Sequence, residues 1–167
     1  MTTGARDEGY FGPGSVTWRI HSSPSLMVGG LRALLVQALN PLAMAAVAEH
    51  SNYKEDPWTR LIRTTEYLVA TTFGDTTTAD AAARRLREIH RHVRGVDPFT
   101  GLPYRADDPE LLLWVHATEV HSFMSGYRVF GGGLSDEDAD RYVNEMVRAA
   151  ELVGLAADEV PASKGEL

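Results

Sequence analysis

Apolar residues along this chain recur at spacings of three and four, and polar or Gly/Pro punctuation divides them into five segments. The first runs from Ser25 to His50. Ser23 or Ser25 can cap it, and Pro41 should kink or split it. Its Gly29-Gly30 pair would let another backbone or a flat ligand approach closely. The second runs from Pro57 to Phe73, with Asp56 as N-cap and Gly74 as stop. The third covers Thr78–Arg94, capped from Thr76–Thr78 and ended by Gly95. The fourth covers Asp108–Phe130 with Pro109 in its first turn, and Gly131-Gly132-Gly133 closes it. The fifth covers Ser135–Val153, opened by Ser135-Asp136-Glu137-Asp138, close to a capping box. No run alternates with period two, and no internal repeat is visible. The pattern predicts an all-α, single-domain helical bundle of about five main helices with a buried pocket. Residues 1–17 are expected to be a flexible N-terminus, 18–155 the helical domain, and 156–167 a short, frayed C-terminal tail.

Composition narrows the chemistry. The chain has 167 residues, enough for one domain with a substantial core. Its net charge of −7 gives no basic surface for nucleic acid. It contains no cysteine, which excludes disulfides, thiolate metal sites, Fe–S clusters and a cysteine nucleophile. Any metal must use His, carboxylate or another oxygen or nitrogen ligand. The apolar stretch from Leu26 to Ala48 is interrupted by Arg32, Gln37, Asn40 and Pro41. A bilayer span needs about 20 mainly apolar residues, so a core helix is the expectation there, with no transmembrane segment. Met1–Pro13 lacks the apolar core of a secretion signal, and a cytoplasmic location is expected. Phosphate-binding loops, dinucleotide fingerprints, nucleophile elbows and His-Glu-x-x-His are all absent.

Three segments carry residues with chemistry. In the third, Ala79, Ala82, Ala83, Leu86, His90 and Val93 form one apolar stripe. His90 therefore faces the core, while His92 lies about 200° around the helix and is solvated. His90 has two readings: a hydrogen-bonded core histidine, or an axial ligand to iron or haem. In the second segment Arg60, Thr64 and Leu68 share a face, flanked by Leu61, Thr65 and Thr72. That face suits a polar group held within an apolar wall. Equally, Arg60 snorkels to solvent and the threonines bond to the carbonyls four residues back. In the fourth segment His116, Glu119, Phe123 and Tyr127 share a face, and His116 and Glu119 could form a supporting pair. A di-iron site needs Glu-x-x-His twice plus two more glutamates, and this chain has neither. His121 projects from another face with no obvious partner.

The ordered set of short motifs resembles a known family. Trp18-Arg19-Ile20-His21 is followed by Leu31-Arg32-Ala33-Leu34-Leu35-x-Gln37-Ala38-Leu39-x-Pro41 and by Asp56-Pro57-Trp58-x-Arg60-Leu61-x-x-Thr64. Then come Ile89-His90-x-x-Val93-Arg94-Gly95, Pro103-Tyr104-x-Ala106-x-Asp108-Pro109 and Leu111-Leu112-Leu113-Trp114-Val115-His116-Ala117. Tyr127, Gly131-Gly132 and Asp140-Arg141-Tyr142 complete it. This set resembles the MpaB/rubber-oxygenase catalytic domain family, which includes bacterial latex clearing proteins. The resemblance covers most of Trp18–Leu155. It implies an all-α fold that holds haem b through one histidine, matched here by His90. An arginine and a threonine four residues apart support that haem, matched by Arg60 and Thr64. His116 is a further group beside the cofactor. Where latex clearing proteins can place a lysine over the iron, this chain has Arg63, which does not readily lose its proton. Relatives also continue with further helices beyond the point where this chain stops.

The resemblance implies a haem-dependent oxygenase acting with O2 on a small hydrophobic substrate: an isoprenoid, a lipid or a secondary metabolite. The alternative is a non-catalytic helical binding or carrier protein for haem or an apolar ligand, working as a homo-oligomer. A third reading is an obligate-oligomer interaction protein.

Overall fold

The longest helix of the chain is also its most enclosed. In a computed structural model describing residues 7–51 and 54–167, α6 (Pro109–Phe130) buries side chains on several faces, from Leu111 and His116 to Phe123 and Tyr127. The other helices are α1 (Val16–His21), α2 (Ser25–Gln37), α3 (Pro41–His50), α4 (Pro57–Phe73), α5 (Thr76–His92) and α7 (Asp136–Val153). α1, α2, α3 and α7 pack against α6, and α4 and α5 pack on each other and on α1 and α7 respectively. A two-stranded antiparallel sheet, β1 (Arg94–Val96) and β2 (Pro103–Arg105), lies between α5 and α6, and a short 3-10 turn follows α7. The protein is all-α apart from this hairpin.

The main core fills the space between α1, α6 and α7. Val16 and Ile20 meet Val120, Phe123, Met124 and Tyr127, with Ala139, Tyr142, Val143 and Met146 closing the far side. A smaller cluster joins α3, β2 and the start of α6 through Ala43, Ala45, Tyr104 and Leu111. α2 packs extensively on α6 because small residues meet there. A Cβ on Gly29 would lie 2.9 Å from the Phe123 Cα and 3.0 Å from the Ser122 carbonyl. A Cβ on Gly126 would lie 3.0 Å from the Gly29 amide nitrogen. The opposite side of α2 is an exposed apolar stripe that includes Met27, Leu31 and Leu35, continued by Leu39 just beyond its end.

Most helix ends follow their cap residues. Asp56 accepts from the Thr59 amide at 3.0 Å and Ser135 from the Asp138 amide at 3.1 Å. The long first segment breaks where Pro41 stands, with Asn40 accepting from the Leu42 and Ala43 amides, and α2 and α3 meet at a bend of 106°. No single helix among the described residues is long and apolar enough to cross a membrane.

Several expectations need correction. α5 is capped by Asp75, which accepts from the Thr78 amide at 2.7 Å, rather than by Thr76–Thr78, and it ends at His92. α2 has no side-chain cap bond, although the Ser25 amide donates to Ser23. The hairpin was not foreseen, since three residues per strand are too few for an alternation to register.

The described residues near both ends make hydrogen bonds and packing contacts with the helices. Residues 1–6 of the predicted flexible terminus lie outside the described residues. Beyond them, Asp7 accepts from the Thr76 amide and hydroxyl at 3.0 and 2.6 Å, and the Tyr10 hydroxyl donates to Asp80 at 2.7 Å. Glu145 on α7 accepts from the Val16 and Thr17 amides and the Thr17 hydroxyl, clamping the N-terminus of α1. At the other end, Leu155 and Val160 are buried against Leu112 and Ala150, and the Lys164 amide donates to Asp140.

The α2–α6 contact makes a paired prediction. Alanine exceeds glycine in helix propensity by about 1 kcal/mol, so free space at position 29 would make Gly29→Ala stabilising. The contact is with backbone, so Gly29→Ala should instead lose about 1–3 kcal/mol in urea unfolding. Gly30→Ala, whose Cβ would meet only the Phe123 ring edge at 3.9 Å, should be neutral or stabilising. Equal effects at the two positions would refute the close packing.

Candidate functional site

α4 and α5 are joined by Gly74-Asp75 and pack on each other, burying Thr71 and Thr72 from one and Ala79 and Ala83 from the other. Those four residues all lie near the turn. The distant halves of both helices carry the residues singled out by sequence, and they are more open. Trp58 is 71% exposed and Ile62 56% on α4, and Ile89 is 50% exposed on α5.

His90 sits in the last turn of α5, half-buried. Its Nδ1 is cut off from solvent and has no hydrogen-bond partner among the described residues. Burial lowers its pKa, with Asp107 pulling weakly the other way, so the ring is neutral at pH 7. A satisfied core histidine would not leave this nitrogen alone. His92, by contrast, is exposed and reaches Glu88 at 3.1 Å. Arg60 is half-buried and donates from Nη1 to the Ser51 hydroxyl at 2.8 Å. Thr64 is exposed, and its hydroxyl donates to the Arg60 carbonyl at 3.1 Å; Thr65 does the same to Leu61 at 2.9 Å. Arg63 is exposed on the same helix.

α6 supplies the deeper groups. His116 is buried, and burial pushes its pKa down to about 4. Glu119 lies one turn further on, its carboxyl pushed up to about 7 by burial. No described residue hydrogen-bonds either side chain, and they do not bond to each other. Glu119 is close enough to Tyr67 of α4 and Tyr142 of α7 to raise both phenols, in each case after burial itself.

Behind them lies a polar cluster that the sequence reading did not find. His21 at the end of α1 is 5% exposed. Its Nδ1 is 2.8 Å from the Thr72 hydroxyl and its Nε2 3.1 Å from the Tyr142 hydroxyl. Its ring also packs edge-on against Phe123, with centroids 5.3 Å apart. Burial pushes its pKa down to about 3, so it is neutral and one nitrogen donates while the other accepts. α1 has only six residues, too short for a periodicity to mark His21 as inward-facing. His121 likewise has a partner after all: Arg32 donates to its Nδ1 at 3.0 Å and to the Ser122 hydroxyl at 2.7 Å.

Among the described residues no three His, Asp or Glu side chains converge as a metal-ion cage. Two clefts of about 430 and 420 Å³ lie elsewhere, one between the N-terminal loop and α7 and one beside the C-terminal tail.

The helical frame agrees with a comparison against protein families. The family model for the catalytic domain of ER-bound oxygenase mpaB/B′ and rubber oxygenase matches residues 18–167. The chain belongs to this family. As a member of the MpaB/rubber-oxygenase family it is an oxygenase-type catalytic domain. The family match reaches the last residue, consistent with the packing of the segment after Gly154. No curated protein and no solved structure matches the chain.

The buried His21 has a stability consequence. Unfolded, it titrates near its ordinary value of 6.5; folded, it stays neutral down to about 3. The unfolded state therefore binds more protons in that window, and stability falls as pH drops below 6.5. The slope from one such group is about 1.4 kcal/mol per pH unit. His21→Gln should be less stable than the wild type at pH 7, and the gap should shrink by about that amount per unit between pH 6 and 4.5. Urea unfolding at several pH values checks this, and a constant gap would show that His21 is not held neutral.

Proposed function

We propose that this MpaB/rubber-oxygenase-family domain is a haem b oxygenase that transforms a small hydrophobic substrate with O2 in the cytoplasm. The observation that carries the cofactor assignment is the His90 Nδ1, buried, neutral and without a partner. A porphyrin brings its own equatorial nitrogens, so one protein ligand is enough, and a neutral imidazole has the lone pair to be that ligand. The donor set therefore fits the group.

The remaining residues take supporting roles. Arg60, tied to Ser51, carries a guanidinium suited to a propionate carboxylate. Thr64, bonded to the Arg60 carbonyl, stiffens the turn that presents that arginine. Trp58, Ile62 and Ile89 give α4 and α5 an apolar surface of the kind that covers a flat hydrophobic group. His116, buried and neutral, has ring nitrogens open to a hydrogen bond with whatever fills the interior. Haem supplies the activation of oxygen when bound, and the protein's part is to orient it and keep water away.

Visible absorption of the purified protein, before and after haem addition, tests this. The wild type should show a Soret band approaching one haem per chain, and His90→Ala should lose most of it while keeping its helical circular dichroism. A wild type that takes up no haem would refute the cofactor assignment and favour a helical carrier of an apolar ligand.

A further inference from the structure

The outer side of α2 is apolar where a protein surface is ordinarily mixed. Ser25, Gly29 and Ala33 form its buried face, with Gly29 against the backbone of Phe123. On the other side Met27, Val28, Leu31, Leu34 and Leu35 recur at spacings of three and four, and Leu39 continues the row past the helix end. Met27, Leu31 and Leu35 are 62%, 61% and 74% exposed. Together the six side chains leave on the order of 700 Å² open, more than the roughly 300–600 Å² of the largest apolar patch on a typical monomer. Among the described residues nothing covers them.

We propose that α2 is the contact of a symmetric homodimer, its apolar stripe packed on the same stripe of a second copy of this chain. The inference goes beyond the oxygenase reading and does not rest on it.

Charge, area and rigidity select a second copy. A twofold contact sets a patch against itself, so the patch must carry no like charges that would meet. Ser25–Gln37 contains one ionisable residue, Arg32, and it is drawn towards α6, donating to the His121 Nδ1 and the Ser122 hydroxyl. The chain carries a net charge of −7, yet none of its acidic residues lies on α2. The open area is close to the roughly 800 Å² per partner of a standard interface. Apolar positions three and four apart are also what one helix needs to seat its ridges in the grooves of another. α2 is already held at backbone contact by Gly29, so presenting this face requires no rearrangement. A bilayer surface fits less well. A helix lying in a membrane interface carries Lys and Arg on a free polar face. α2 has no lysine, and the side opposite its stripe is occupied by α6.

Sedimentation equilibrium of the full chain tests the proposal. The wild type should reach twice the 18.3 kDa chain mass at about 50 µM and fall towards one chain on dilution, as mass action requires. Leu31→Glu and Leu35→Glu bury like charges in the contact and should weaken dimerisation at least about a hundredfold. Phe99→Glu, at an open apolar position on the loop between β1 and β2, should stay dimeric. Should either α2 variant lose its helical circular dichroism, Leu31→Ala keeps full helix propensity and should weaken the dimer about tenfold. A wild type that stays monomeric at that concentration, a dimer that survives both glutamates on α2, or equal loss in Phe99→Glu would overturn the proposal. A monomeric wild type that co-sediments with phosphatidylcholine vesicles, and is released by Leu31→Glu, would assign the stripe to a bilayer surface instead.

Discussion

The approach of α2 to α6 at Gly29 and Gly126 is the contact on which the arrangement of the interior depends. Two helices brought to backbone contact have no freedom to slide or roll past one another. That fixes the rotation of α6 about its own axis, and with it the direction of every residue along it. Ser122 and Gly126 are spent on α2, and Val120 and Met124 on the α1–α7 core. Arg32 reinforces the same rotation by reaching from α2 to His121 and Ser122. α2 gains nothing hydrophobic on its other side, which is why Leu35 and Leu39 are 74% and 75% exposed.

A second constraint is electrostatic. The interior holds several ionisable groups and almost no charge. His21, His116 and His90 are held neutral by burial, and Glu119 is displaced towards its neutral form. Moving a charge into such surroundings is costly, so these groups give up ionisation instead. Their opposite preferences oppose each other in the folding equilibrium. The histidines favour folding at higher pH and Glu119 favours it at lower pH. The site is polar in the sense of hydrogen bonding without being polar in the sense of net charge, which is the environment in which a neutral imidazole remains a ligand.

Much of this was legible before any coordinates. Asp56, Ser135, Pro41 and Pro109 mark helix boundaries by mechanisms local to a few residues, and the structure places the boundaries there. His90 and His92 were separated correctly by helical phase alone. The Gly29-Gly30 pair announced a close approach, though not that Gly29 alone would make it. What stayed hidden depends on residues far apart in sequence. His21 meets Thr72 and Tyr142 across separations no local pattern encodes. The clamp of Glu145 on the α1 N-terminus is of the same kind, and so are the anchoring of Asp7 at Thr76 and of the tail on α6. The β-hairpin was missed for the opposite reason, being too short to carry any pattern at all.

The break at Asn40-Pro41 sets how far an apolar segment of this chain can run straight. Ser25–His50 passes the length and composition test for a span only as a bent pair. As one straight helix it would extend about 39 Å at 1.5 Å per residue, more than the roughly 30 Å hydrocarbon layer. Asn40 instead hands its side-chain oxygen to the next helix, and Pro41 withholds the amide that would continue the first. The folded chain thus presents two short apolar helices at 106° in place of one continuous rod. A proline and its cap thereby set the corner at which α3 leaves the α2–α6 pair.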